Sequence, residues 1–256
     1  MTSPTVRGRA LSAALVLATA LTLTSCGTAS GGTLASDTQI AAACPSNRIA
    51  TTIGLDGTST FQSGRTKAST LRIVDNHVRR TAICGGHLRV FFFASSTGAT
   101  VPLFDGDLAV DAPTENAKLR KAGKLADQTS ARIAEKYDTA LESLTGNGTD
   151  VLGMLSLLSQ TNVQYPDLEP INVLLTDGLT NIDFDISQLT STEAATKLAD
   201  QQPVPDLSGA DVSLLGIGKQ AGGEIPSSLI AHLTTFWERI CHNTGAAQCH
   251  VSTESR

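Results

Sequence analysis

Ile171-Asn-Val-Leu-Leu-Thr176 is a strand-length run in which apolar side chains do not alternate with polar ones. A strand that is apolar on both sides has to be covered on both faces. That places it near the centre of a parallel sheet with helices above and below. The run ends in Asp177-Gly178. A second apolar run, Ile49-Ala-Thr-Thr-Ile-Gly-Leu55, ends in the same way, in Asp56, with hydroxyl residues following at Thr58 and Thr60. A carboxylate that closes a buried strand stands at the rim of the sheet, within reach of a ligand or metal. Two such strand ends suggest a hard-cation site, and with it a binding function.

The chain between and around these runs alternates strand and helix signals. Leu71, Val74, Val78 and Ala82 hold a helical spacing over residues 66–83, and Gly85-Gly86 stops that helix. Leu88-Arg-Val-Phe-Phe-Phe-Ala94 is rich in strand formers. Asp105-Gly106 reads as a turn or bulge beside a shorter strand, within residues 101–110. Leu119, Ala122, Ala126, Thr129, Ile133, Tyr137, Ala140 and Leu144 mark one face of a long helix, with Gly123 as a candidate break. A short apolar helix follows at 151–160, then the Ile171 strand and a further strand over 211–217. Pro226 opens a last helix with Leu229, Ile230, Leu233, Phe236, Trp237 and Ile240 on its apolar face. Residues 249–252 form an edge strand. The expected fold is α/β: a doubly wound, mostly parallel central sheet flanked by helices. Right-handed crossovers then bring Asp56 and Asp177 to one rim.

The N-terminus reads as a processing signal. Arg7 and Arg9 precede an uncharged apolar run, 10–23, that is too short for a typical membrane span. Leu23-Thr-Ser-Cys26 resembles the lipobox of bacterial lipoproteins. The resemblance implies cleavage after residue 25 and lipid attachment at Cys26. It also implies a protein held on the cell membrane, facing its extracytoplasmic side. With the Ala-, Thr- and Gly-rich usage, it points to a bacterial, actinobacterial source. Residues 26–43, poor in large apolar side chains, read as a flexible tether, and 44–256 as one domain. The remaining cysteines, Cys44, Cys84, Cys241 and Cys249, are even in number in an exported chain and allow three disulfide pairings. Their places around the first helix and the last helix-to-strand turn favour Cys44–Cys84 and Cys241–Cys249, both at the rim away from Asp56.

Four motifs in order resemble the von Willebrand factor A domain family. They are Asp56-Gly-Thr58-Ser-Thr60, Gly148-Thr149-Asp150, Leu174-Leu-Thr-Asp177-Gly178 and Leu215-Gly-Ile-Gly218. The likeness spans roughly residues 47–252. It implies a metal-ion-dependent adhesion site made by Asp56, Thr58, Thr60, Thr149 and Asp177. Such a site would take Mg²⁺, or Mn²⁺ or Ca²⁺, and offer an open position to the acidic group of a protein or peptide ligand. The family's first motif carries serines where this chain has Thr58 and Thr60. The hydroxyls survive, and each added methyl crowds the loop. The alternative is a metal-independent scaffold or accessory lipoprotein of a cell-envelope complex.

Other chemistries lack a signal. His77, His87, His232, His242 and His250 show no paired metal spacing, and no nucleophile elbow, Walker loop or dinucleotide fingerprint is present. No catalytic role is expected. A net charge of −5 without a basic stripe excludes nucleic acid as an expected partner.

Overall fold

A computed structural model describes residues 29–64, 67–145, 148–182, 184–219 and 225–254. The expected signal segment 1–25 and the expected lipidation site Cys26 lie outside these residues. Six strands form one sheet: β1 Ile49–Asp56, β2 Gly86–Phe93, β3 Val101–Asp107, β4 Glu169–Leu175, β5 Asp211–Leu215 and β6 Gln248–Ser252. Their order is β3-β2-β1-β4-β5-β6, with β3 alone antiparallel. The order reverses beside β1, and sheets of this kind place a ligand at such a switch point, here the carboxyl ends of β1 and β4.

Among the described residues there are seven α-helices: α1 Ala29–Ala42, α2 Ser59–Gly64, α3 Lys67–Cys84, α4 Glu115–Ser143, α5 Val151–Gln164, α6 Thr192–Asp200 and α7 Ser227–Asn243. One face buries Ile53 and Leu55 of β1 against Val74 and Val78 of α3 and Ile133 and Tyr137 of α4. The other buries Leu174 of β4 and Leu214 of β5 against Leu155 of α5, Leu198 of α6 and Trp237 of α7. Every residue of β1 is buried, as a strand covered on both faces requires. At its start the sheet leaves no room for a side chain beside it. A Cβ on Gly86 would stand 1.8 Å from the Ile49 carbonyl oxygen.

The two expected cystine pairs are present, Cys44–Cys84 and Cys241–Cys249. Cys44 precedes β1 and Cys84 precedes β2, so the first bridge clamps the amino ends of two neighbouring parallel strands. The second ties the last turns of α7 to the start of β6. Both lie at the rim away from Asp56.

Several expectations are corrected. Residues 29–42 of the expected tether are helical, and α1 packs on α3 and α4. Its anchor is Asp37, which forms a bidentate ion pair with Arg79 of α3 at 2.6 and 2.9 Å. Asp105 and Gly106 lie inside β3, and the irregularity of that pair is at Val90/Phe91 of β2. Gly123 does not break α4. It is buried where a Cβ would meet the Arg79 and Asp37 side chains at 3.3 Å. The strand expected over 211–217 stops at Leu215, because Gly216 turns the chain at φ +101°. Helix α6 is an element beyond those expected from the sequence.

His77, partly buried on α3, makes the fold sensitive to acid. Burial, helped by the charge of Arg80, pulls its folded pKa down to about 4 from 6.5. Above pH 6.5 the ring is neutral folded or unfolded. Below it the unfolded chain takes up the proton first, so stability falls as pH drops from 6.5 towards 4 and levels off beneath. We expect about 1–2 kcal/mol of this loss by pH 5, absent in His77→Gln. Denaturant titrations of both proteins at pH 7 and pH 5 measure it. Equal losses in the two would discard this role for His77.

Candidate metal centre

At the carboxyl ends of β1, β2 and β4 lie three loops that are tied together: those after β1, before α5 and after β4. The β1 loop is fixed by Gly57, whose amide donates to the Phe93 carbonyl at 2.8 Å. The loop before α5 is fixed by Asp150, whose amide donates to the Ala94 carbonyl at 3.0 Å. Asp150 also caps α5 by accepting from the Gly153 amide at 2.7 Å. The β4 loop straps down the α5 loop. The Thr180 hydroxyl donates to the Thr149 carbonyl at 2.7 Å, and the Asn181 side-chain oxygen accepts from the Thr149 amide at 3.1 Å.

Asp56 is the centre of this arrangement. It is fully buried, yet ends its strand at the rim. Its Oδ1 accepts from the Thr58 amide at 2.9 Å and the Thr58 hydroxyl at 2.7 Å. Its Oδ2 accepts from the Thr176 hydroxyl at 2.8 Å. Thr176 in turn accepts from the Gly178 amide at 3.1 Å. Burial raises the Asp56 carboxyl above the ordinary aspartate range, against the pull of the Thr58 hydroxyl, the Thr58 amide and the Thr176 hydroxyl. None of the ion pairs among the described residues involves Asp56.

Asp177 is also fully buried. Its Oδ1 accepts from the Leu179 amide at 2.9 Å, and its carbonyl accepts from the Gly218 amide at 2.8 Å. The Gly178 that follows has φ +73°, and a Cβ there would be 2.7 Å from Trp237 Nε1. The indole instead donates to the Gly178 carbonyl at 3.0 Å. The tight turn therefore depends on glycine for both its dihedral and its clearance.

The structure thus joins Asp56, Thr58 and Thr176 by direct hydrogen bonds. It sets Asp177 one residue beyond Thr176, and ties Thr149 to the same β4 loop. Thr60 falls in the first turn of α2, and its side chain lies outside the described residues. Thr176 and Asn181 join the site beyond the five expected residues. Thr176 follows from the strand register: Leu55 pairs with Leu175, so the next residues, Asp56 and Thr176, meet across the strands.

The donor set suits a hard cation. Among the described residues no group of three or more His, Cys, Asp or Glu side chains could hold a metal. An ion at this rim would therefore draw on hydroxyl oxygens as well as the two aspartates. A hydroxyl that gives its one proton to a carboxylate, as Thr58 does to Asp56, turns its lone pairs to other partners and is a better ligand for it. Oxygen donors of this kind fit Mg²⁺, Mn²⁺ and Ca²⁺ and not the soft metals. A buried carboxylate that makes no ion pair among the described residues is the charge such an ion would balance.

No protein-family model and no curated protein matches the sequence. Among solved structures, the chain is similar to the BatB protein of Bacteroides thetaiotaomicron, at 12% identity and TM-score 0.43, over 81% of this chain and 91% of that one. It is similar to a von Willebrand factor type A protein of Catenulispora acidiphila, at 14% identity and TM-score 0.41, over 80% and 39% of the two chains. It is also similar to the manganese-loaded TRAP protein of Plasmodium vivax, at 14% identity and TM-score 0.32, over 73% and 63%. At these identities and scores the likenesses say nothing of chemistry. Strand order and pairing give the chain a doubly wound α/β fold, a mostly parallel sheet with helices on both faces.

Proposed function

We propose that this rim binds Mg²⁺, or Mn²⁺ or Ca²⁺ of the same hard class, through Asp56, Thr58, Thr60, Thr149 and Asp177. The bound ion would then supply a coordination position for an acidic group of a protein or peptide partner. The protein would work as a binding or adhesion module rather than an enzyme, held to the extracytoplasmic face of the membrane by lipid on Cys26. No described helix is long and apolar enough to cross a membrane. The observation that carries this reading is Asp56: a buried carboxylate at a strand end, held by hydroxyls, raised by burial and in no ion pair among the described residues.

A cation that binds only the folded state adds about 1.4 kcal/mol at ten times its Kd. For a domain of this size that is about 3–6 °C in Tm. Oxygen sites outside the cell reach Kd values of about 10⁻⁴–10⁻³ M, so the titration extends to about 10 mM. Wild type is expected to shift with Mg²⁺ or Mn²⁺ and to lose the shift in EDTA. Asp56→Asn and Asp177→Asn should remove it, and Thr149→Ala should reduce it. The proton competes with the ion. As pH falls through the raised Asp56 range, the folded carboxyl is neutralised and the metal-induced shift shrinks.

One observation favours the alternative, a metal-independent scaffold: three donors already satisfy the two oxygens of Asp56. Absence of any shift at about 10 mM of the three cations would favour it. Retention of envelope partners in EDTA during pull-down would do the same.

A further inference from the structure

We propose that α1 is a detachable strap, latched to the α3–α4 face by the Asp37–Arg79 ion pair and hinged at the Cys44–Cys84 disulfide. The helix is poorly suited to stand alone. It carries two glycines and several Ser and Thr residues, and a helix of 14 residues is marginal in water even with a better sequence. Docking therefore makes it helical, and undocking would melt it.

The docked contact is thin in apolar terms. Leu34, Ile40 and Ala41 are only partly buried against the core. Among residues 34–42, Asp37 alone is fully buried. Its carboxylate takes both a 2.6 Å and a 2.9 Å bond from Arg79. Gly123 of α4 makes room for the pair, since a Cβ there would reach both side chains at 3.3 Å. A cavity of about 500 Å³ lies alongside, lined by Leu34, Arg79, Gly123 and Lys124 among others, so water has access to the latch.

The latch can open without stranding a charge. Arg79 also binds Asp127 at 3.1 Å, and the Asp127 side chain is largely exposed. If α1 leaves, Asp37 goes to water and Arg79 keeps a carboxylate partner. The usual cost of breaking a buried pair, an uncompensated charge in the interior, is avoided. The disulfide at Cys44, just past the end of α1, confines the melting to the strap and keeps β1 in the sheet.

The consequence is a change of reach. The docked helix spans about 21 Å, and the same 14 residues extended span up to about 46–50 Å. This consequence rests on the lipid-anchor reading of Cys26, whereas the latch does not. Membrane fractionation of Cys26→Ala tests the anchor. Hydrogen exchange tests the strap.

The test is amide hydrogen exchange of the full chain, read by mass spectrometry, for wild type, Asp37→Asn and Arg79→Gln. In wild type α1 should exchange faster than α3 and α4. In both variants peptides from 34–42 should exchange at least ~10-fold faster, with α3, α4 and β1 protected as before. Unchanged protection of α1 would show that the ion pair does not hold it. Loss of protection across α3, α4 and the sheet, or failure to fold, would show that α1 is an integral part of the core. Either result overturns the proposal.

Discussion

Trp237→Ala is expected to cost about 3–5 kcal/mol and to disturb the rim at the same time. The indole is fully buried on α7 and packs edge-on to Phe236, with ring centroids 5.0 Å apart. Its loss leaves a cavity in the face built from α5, α6 and α7. The polar end matters separately. Trp237 donates to the Gly178 carbonyl, Gly178 donates to Thr176, and Thr176 donates to Asp56. Three hydrogen bonds in series thus run from the helix to the strand-end carboxylate. Trp237→Phe keeps most of the buried area and removes the first of them, the donor to a buried carbonyl, so it should cost about 1–3 kcal/mol. Denaturant unfolding gives both losses. A metal titration of Trp237→Phe then reads the connection to the rim. A clear drop in the metal-induced Tm shift would show that the indole positions the Gly178 turn. A full shift, beside full loss in Asp56→Asn, would reduce Trp237 to packing alone.

The elements whose apolar pattern decides their place were open to reading. The unalternating residues of β4 are buried on both faces, as their composition requires. Leu71, Val74, Val78 and Ala82 do share a face of α3, with Val74, Val78 and Ala82 fully buried. Misreadings arose where a long-range contact outweighs local composition. Small polar residues in α1 suggested a tether, because nothing near Asp37 in sequence reveals Arg79, 42 residues on. Asp105-Gly106 has turn chemistry, but β2 supplies a pairing edge that holds it extended.

The rim divides in the same way. Asp56 and Asp177 were legible because a carboxylate ends each apolar run. Thr176 needed the β1–β4 register, and Asn181 needed the fold of a loop whose own sequence has no periodicity. Thr149 was found through motif order. The bonds that fix it come from Thr180 and Asn181, far along the chain.

The Cys44–Cys84 bridge should be the more stabilising of the two disulfides. It joins residues 40 apart, against 8 for Cys241–Cys249. If the effect is chiefly a restriction of the unfolded chain, the longer loop contributes about 4 kcal/mol and the shorter about 2.5 kcal/mol. Native contacts add to the difference. Cys44–Cys84 ties the entries of β1 and β2, the pair next to the rim strand, whereas Cys241–Cys249 secures an edge strand whose first residues are exposed. Equilibrium unfolding of Cys44→Ala/Cys84→Ala and of Cys241→Ala/Cys249→Ala, each with the other bridge intact, gives the two losses. Equal losses, or a larger loss for the short loop, would contradict the chain-entropy account. The first double variant also separates hinge from latch. With Asp37–Arg79 intact, α1 should stay docked in hydrogen exchange while the β1 entry loses protection. Release of α1 in that variant alone would mean that the disulfide, not the ion pair, holds the strap in place.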